Sequence, residues 1–176
     1  MSDKPLVKGF LGVPEEGRWD QERSEFYSMM VKDVFKTGTL PVKFYLNPKS
    51  GEGGEAWYCG VGLIVLYFPE IKDDQDEDVV KAFLAHEVGH AEAARFGVKW
   101  FSMIPDPLNT VLSDVEASLR GVRYARKWEV LEAYRWAVIF YMVQRLEDQL
   151  DSSLVPFPPR VEARAREALR EFKGLL

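Results

Sequence analysis

The chain has 176 residues, 47% of them hydrophobic and 13% aromatic, with a formal net charge of −5. That length and apolar share fit a single globular domain, 1–176, and exclude a disordered chain. The acidic balance argues against a general nucleic-acid binder, whose affinity comes from neutralising phosphates.

Residues 1–17, with Pro5, Gly9, Gly12, Pro14 and Gly17, read as an irregular arm. The arm has charges at Asp3, Lys4 and Lys8 and no apolar core of a secretion signal. From Arg18 or Trp19 to Lys36, apolar residues at Trp19, Phe26, Met29, Met30 and Phe35 predict a first helix, stopped by Thr37-Gly38. Pro41 to Leu46 reads as a strand and Asn47 to Gly54 as a turn or loop. Ala56–Cys59 and Leu63–Phe68 predict two further strands, with Gly60 and Gly62 marking a turn or bulge. The lone cysteine, Cys59, has no internal disulfide partner and requires no oxidising compartment.

Glu70 to Asp78 holds six acids and one lysine and reads as a solvated loop running into a helix start, with Asp76 or Asp78 as cap. Val79, Val80, Phe83, Leu84, Val88 and Ala91 then recur at helical spacing, and Gly97 is a natural stop, so Asp78 to about Phe96 reads as one helix. In its middle lies His86-Glu87-Val88-Gly89-His90, which contains the only two histidines of the chain. This is the H-E-x-x-H spacing of zinc peptidases. Residues i and i+4 share a helix face, so both imidazoles can reach one tetrahedral Zn²⁺, and Glu87, one position round, can act as base toward a metal-activated water.

The remainder reads as helical. Pro107 or Leu108 to about Arg126 is one segment and Trp128 to Leu150 another. Asp151 to Pro159 is a proline-rich break, and Arg160 to Phe172 is an amphipathic closing helix. Tyr134, Trp136, Phe140 and Tyr141 read as packing residues, and Arg120, Arg123, Arg126 and Lys127 as a solvated basic face. The most apolar stretch, Ala137 to Val143, is far short of the roughly 20 residues that span a bilayer. The expectation is a soluble cytoplasmic protein that engages neither membrane nor nucleic acid.

A catalytic zinc site with two histidines requires a carboxylate from elsewhere. The helix after the motif has an apolar stripe of Leu108, Val111, Leu112, Val115, Leu119 and Val122, and Asp114 and Glu116 lie on opposite flanks of it. Glu116 shares its flank with Arg120, Arg123 and Lys127, which reads as solvated, with an i, i+4 ion pair to Arg120. Asp114 shares its flank with Ser118, Gly121 and Ala125, small residues that let another helix approach closely, and a helix carrying Gly89 is a suitable partner. Geometry favours Asp114 and side-chain reach favours Glu116; the flank argument leans to Asp114.

Leu84-Ala85-His86-Glu87-Val88-Gly89-His90-Ala91 followed by Asp114-Val115-Glu116-Ala117-Ser118-Leu119-Arg120-Gly121 resembles the gluzincin side of the zincin metallopeptidases. It is similar to the HtpX-like and YugP-like membrane peptidases and to the ImmA/IrrE-type soluble proteins. The resemblance covers about residues 42–127 and implies an α+β, zincin-like fold, mostly helical, with a small three-stranded sheet before the metal helix. Residues 18–127 would form the peptidase core and 128–176 a helical C-terminal part. The family's second motif resembles E-x-x-A-[D/S/N]-x-x-[A/G]. Aligning Ala117, Ser118 and Gly121 with it puts Asp114 in the ligand position and Ser118 where an acceptor would orient the first histidine. The register through Glu116 keeps the family's ligand type but places Arg120 where a small acceptor belongs.

The resemblance further implies that the strand Leu63–Phe68, through Leu63, Val65 and Tyr67, pairs with an extended peptide substrate. The implied activity is zinc-dependent peptide hydrolysis, with a peptide or protein as substrate. The alternative is a non-catalytic zincin-like regulatory or binding protein that retains the zinc site. Tyr124 is a candidate for stabilising the oxyanion.

Overall fold

The structure, a computed structural model, describes residues 17–35, 40–46, 54–59, 62–95, 108–151 and 157–176, which form an α+β chain with helices predominating. The arm 1–16, the helix stop at Thr37-Gly38, the loop 47–53 and the stop at Gly97 lie outside the described residues. The chain gathers into two units, Met1–Val80 and Lys81–Leu176, with the boundary inside the motif helix.

The first unit holds four strands, one more than expected. The added strand, β1 (Arg18–Asp20), was expected to begin the first helix, but the backbone at Asp20 is extended, with φ −106 and ψ 101. The Asp20 carboxylate accepts the Arg23 N–H at 3.0 Å, so it caps the helix α1 (Gln21–Val34) and fixes the start at Gln21. β2 (Val42–Leu46), β3 (Glu55–Cys59) and β4 (Leu63–Phe68) complete a sheet of order β1-β2-β4-β3. β2 and β4 are parallel, from Val42↔Ile64 to Leu46↔Phe68; the β1–β2 and β3–β4 pairs are antiparallel. Gly62 (φ 81) closes the β3–β4 hairpin, in a left-handed conformation that favours glycine, and donates to the Cys59 carbonyl at 3.0 Å.

This order overturns one expectation. β4 is hydrogen-bonded on both sides, to β2 and to β3, so it has no open edge on which a peptide can add. Leu63 and Val65 are buried with Tyr45, and half-buried Tyr67 packs against that cluster. These three residues are sheet core and not a substrate strip. The adjacency of β2 and β4, which skips β3, is what closes that edge.

Two serines on α1 tie it to β2. The buried Ser24 hydroxyl donates to the Asp20 carbonyl at 2.6 Å and accepts the Phe44 N–H at 2.9 Å and the Trp19 indole N–H at 3.0 Å. Ser28 accepts the Val42 N–H at 2.8 Å. Tyr27, fully buried against Phe44, donates its hydroxyl to Glu77 at 2.6 Å. Replacing Ser24 by Ala orphans a buried strand amide, so Ser24→Ala should cost about 1–3 kcal/mol, read as a lower urea midpoint with an unchanged slope.

The motif helix α2 (Asp74–Arg95) starts four residues before the expected Asp78. Asp73 takes the Asp76 N–H at 3.0 Å, and Asp76 takes the Lys72 N–H at 2.9 Å, so the acidic run is itself the cap and first turn. The second unit continues with α3 (Leu108–Lys127), α4 (Leu131–Tyr134), a π-helical turn (Arg135–Ile139), α5 (Phe140–Asp151) and α6 (Pro159–Leu175).

α3 is cut from α4 by a C-terminal cap at Glu129, which is left-handed at φ 59. The Val130 N–H reaches the Ala125 carbonyl at 2.9 Å and the Glu129 N–H the Arg126 carbonyl at 3.2 Å, the paired bonds of a Schellman motif. α6 begins on Pro159 at its first turn and buries Val161, Ala165, Ala168 and Phe172. Tyr134 is buried as expected, whereas Trp136, Phe140 and Tyr141 are each more than half exposed. No helix among the described residues is long and apolar enough to cross a membrane.

Candidate metal centre

The site is built where α2 crosses α3. A Cβ on Gly89 would lie 2.1 Å from the Ala117 carbonyl oxygen, and one on Gly121 would lie 2.9 Å from the Ala85 carbonyl oxygen and 2.2 Å from the Tyr134 hydroxyl. Both positions are therefore glycine because backbone meets backbone there, as the small-residue flank of α3 led us to expect. The contact sets Asp114 and Ser118 beside the two histidines.

The imidazoles of His86 and His90 stand edge to face, with their Nε2 atoms 3.1 Å apart. Each Nδ1 faces a serine hydroxyl from α3. Ser118 Oγ is 3.1 Å from His86, the orienting contact expected of it, and Ser113 Oγ is 3.4 Å from His90. With Nδ1 turned to a hydroxyl, Nε2 is the nitrogen presented to a ligand in both rings. Asp114 Oδ1 lies 3.3 Å from His90 Nε2. Donors on one tetrahedral zinc, at bonds of about 2.0–2.1 Å to nitrogen, are separated by about 3.3–3.4 Å. The His90–Asp114 separation matches an edge of such a polyhedron and the His86–His90 separation is slightly shorter, so these side chains are donors of the type zinc takes. Ligand atoms of His86, Glu87 and His90 all lie within 4.8 Å of one another, a group able to hold a metal ion.

The electrostatics suit the same role. Burial, with the neighbouring His90 and Arg145 charges, pushes the His86 pKa down to about 3, against the pull of Asp114, so this imidazole is neutral at physiological pH. Burial also disfavours the His90 imidazolium, but the hydrogen bond to Asp114 and the Glu87 charge outweigh it and raise its pKa. Burial raises Asp114, while the His90 hydrogen bond and the charges of the histidines and Arg145 lower it further, so the carboxylate is ionised. Glu87 is 5% exposed.

The two acids of α3 separate clearly. Glu116 was expected on a solvated flank; it is buried, and both its oxygens are committed, Oε2 to Arg120 at 2.6 Å and Oε1 to Arg164 of α6 at 2.9 Å. Asp114 gives one oxygen to Arg145 of α5 and keeps the other beside His90. The basic flank is only partly solvated, because Arg120 and Arg123 are paired, Arg123 with Glu92. Tyr124 also donates to Glu92, at 3.0 Å, and burial with that carboxylate pushes its pKa up to about 12; its hydroxyl is engaged away from the histidines. Sequence reasoning missed Ser113 and Arg145. Ser113, next to Asp114, was legible as a hydroxyl at helical spacing from Ala117; Arg145 carried no local signal.

Comparison with protein-family models, with curated proteins and with solved structures finds no match to this chain.

The close approach gives a paired prediction. Gly89→Ala should cost about 1–3 kcal/mol or more, because α3 must move off a backbone contact. Gly174→Ala, near the end of α6 with nothing within 4 Å of the added Cβ, should be neutral or stabilising by up to about 1 kcal/mol. Thermal melts of the two variants check the contrast, and equal effects would deny the backbone contact.

Proposed function

We propose that this chain is a zincin-like, zinc-dependent metallopeptidase in which His86, His90 and Asp114 hold the metal and Glu87 is the general base. The observation that carries the reading is that His90 Nε2 lies 3.1 Å from His86 Nε2 and 3.3 Å from Asp114 Oδ1, beside a His86, Glu87 and His90 group whose ligand atoms all lie within 4.8 Å of one another. Bound zinc would supply Lewis acidity, lowering the pKa of a water and polarising the scissile carbonyl. His86 and His90 would contribute their Nε2 atoms, with Nδ1 facing Ser118 and Ser113, and Asp114 would contribute the one anionic donor. Three protein donors leave a coordination position open, which distinguishes a catalytic from a structural site. Glu87 takes the proton of the attacking water and returns it to the departing amine, the two proton transfers that peptide hydrolysis requires. Its burial strengthens its interactions with nearby charges.

Purified protein should bind about one Zn²⁺ per chain, and His86→Ala or His90→Ala should abolish it. Glu87→Gln should keep the metal and slow hydrolysis of a broad peptide library by roughly 10²-fold or more. Zinc bound without any peptide turnover by the unaltered chain would favour the non-catalytic zincin-like alternative.

The acids of α3 should also part in solution. Asp114→Asn exchanges an anionic donor for a neutral one and should weaken zinc affinity strongly in a competition titration at neutral pH. Glu116→Gln should leave zinc affinity within a few-fold and instead lower stability by about 1–3 kcal/mol, since two arginines lose their common carboxylate. The reverse ranking would move the ligand assignment to Glu116.

A further inference from the structure

The carboxylate of Asp114 is divided between two partners. Oδ1 lies 3.3 Å from His90 Nε2, and Oδ2 forms an ion pair with Nη1 of Arg145, which comes from α5, 31 residues further along the chain. We propose that Arg145 is a positioning residue: it pins Asp114 in a one-oxygen pose, so that a single carboxylate oxygen faces the histidine pair and the acid binds the metal through that oxygen alone. The inference rests on the metal-site reading above. Three observations support it.

First, an aspartate on a helix has two soft side-chain torsions, and His90 alone fixes one oxygen without fixing the plane. Nη1 of Arg145 on the other oxygen adds a second anchor, and an anchor on each oxygen fixes the carboxylate plane. Second, Arg145 is only partly exposed, and its charge acts on His86 as well as on Asp114. Third, the helix register needed to deliver it is irregular. The π-helical turn Arg135–Ile139 takes up one residue more than an α-turn, rotating everything after it by about 100°. Downstream of that turn, Met142, Val143 and Leu146 are buried while Arg145 meets Asp114. Glu116, with a cation on each oxygen, shows what a carboxylate looks like here when neither oxygen is left for a metal.

The test is a zinc competition titration of the whole chain carrying Arg145→Met, Arg145→Lys, Asp114→Asn and the Asp114→Asn/Arg145→Met pair. Far-UV circular dichroism confirms folding, and the visible spectrum of the Co²⁺-loaded proteins gives a second readout. Arg145→Met should weaken zinc by about 10-fold or more, as removal of an outer-shell partner does, and shift the Co²⁺ bands. Arg145→Lys should recover most of the affinity and the original spectrum. In the Asp114→Asn background, Arg145→Met should cost nothing further, because its effect runs through that carboxylate. Should Arg145→Met not fold, Arg145→Lys and the double variant against Asp114→Asn decide the matter. Unchanged or tighter zinc binding in Arg145→Met, or a full additional loss in the double variant, overturns the role of Arg145 while leaving the metal site intact. Failure of the unaltered chain to bind zinc overturns both.

Discussion

The contacts between α2 and α3 at this site follow from how closely the two helix backbones meet. Gly89 on α2 leaves no room for a Cβ against the Ala117 carbonyl, and Gly121 on α3 leaves little against that of Ala85. Ordinary helix pairs, with side chains interposed, keep their axes 8–10 Å apart, and small residues set the lower end. Once the backbones touch, short side chains are long enough to act across the interface. Ser118 reaches His86 at 3.1 Å and Asp114 reaches His90 at 3.3 Å. A single methyl group at residue 89 would lengthen each of these together, because all of them cross the same contact.

Charge is organised around that contact with an asymmetry that bears on chemistry. Glu92 is held by Arg123 and Tyr124, and Glu116 by Arg120 and Arg164; Arg164 in turn also meets Glu167 and Glu171. In these networks Glu92 and Glu116 have both oxygens facing a cation or a hydroxyl. Asp114 departs from the pattern. One oxygen is neutralised by Arg145, while the other faces an imidazole nitrogen that itself faces a second imidazole nitrogen. Where two imidazole nitrogens face each other, their lone pairs repel unless a proton or a cation lies between them, and His90 has the carboxylate contact besides.

Much of this was legible in the chain. The alternation of alanines and apolar residues around His86 and His90 gave the helix, and the i, i+4 spacing gave the shared face. The row Ser118, Gly121 and Ala125 gave the face of α3 that meets it, and hence Asp114. What failed to show was whatever depends on partners distant in sequence. Glu116 looked solvated because its i+4 neighbour is an arginine, and nothing local announces that Arg164, 48 residues later, covers the same flank. Arg145 was hidden for the same reason and for a further one: the π-turn before it breaks the 3.6-residue period by which a helix face is read. In the sheet, β1 was lost to the helix because Trp19 matched its period, although Asp20 is a strong cap. The interior place of β4 could not be read, since strand order is a property of the sheet and not of any strand.

The use of aspartate in place of glutamate as the candidate donor follows from the same helix contact. A glutamate carries its carboxylate one carbon–carbon bond, about 1.5 Å, further from its backbone. In a pair of helices kept apart by larger residues, that extra bond is what brings the acid to histidines on the facing helix. Here Gly89 lets α2 meet the Ala117 carbonyl of α3 with no side chain between them. A glutamate at position 114 would have to fold back on itself or push the oxygen past His90, and the second oxygen would leave the reach of Arg145. Across this close crossing a short acid reaches His90 and a hydroxyl suffices at His86. The short reach of Asp114 and Ser118 suits a helix crossing drawn tight at Gly89.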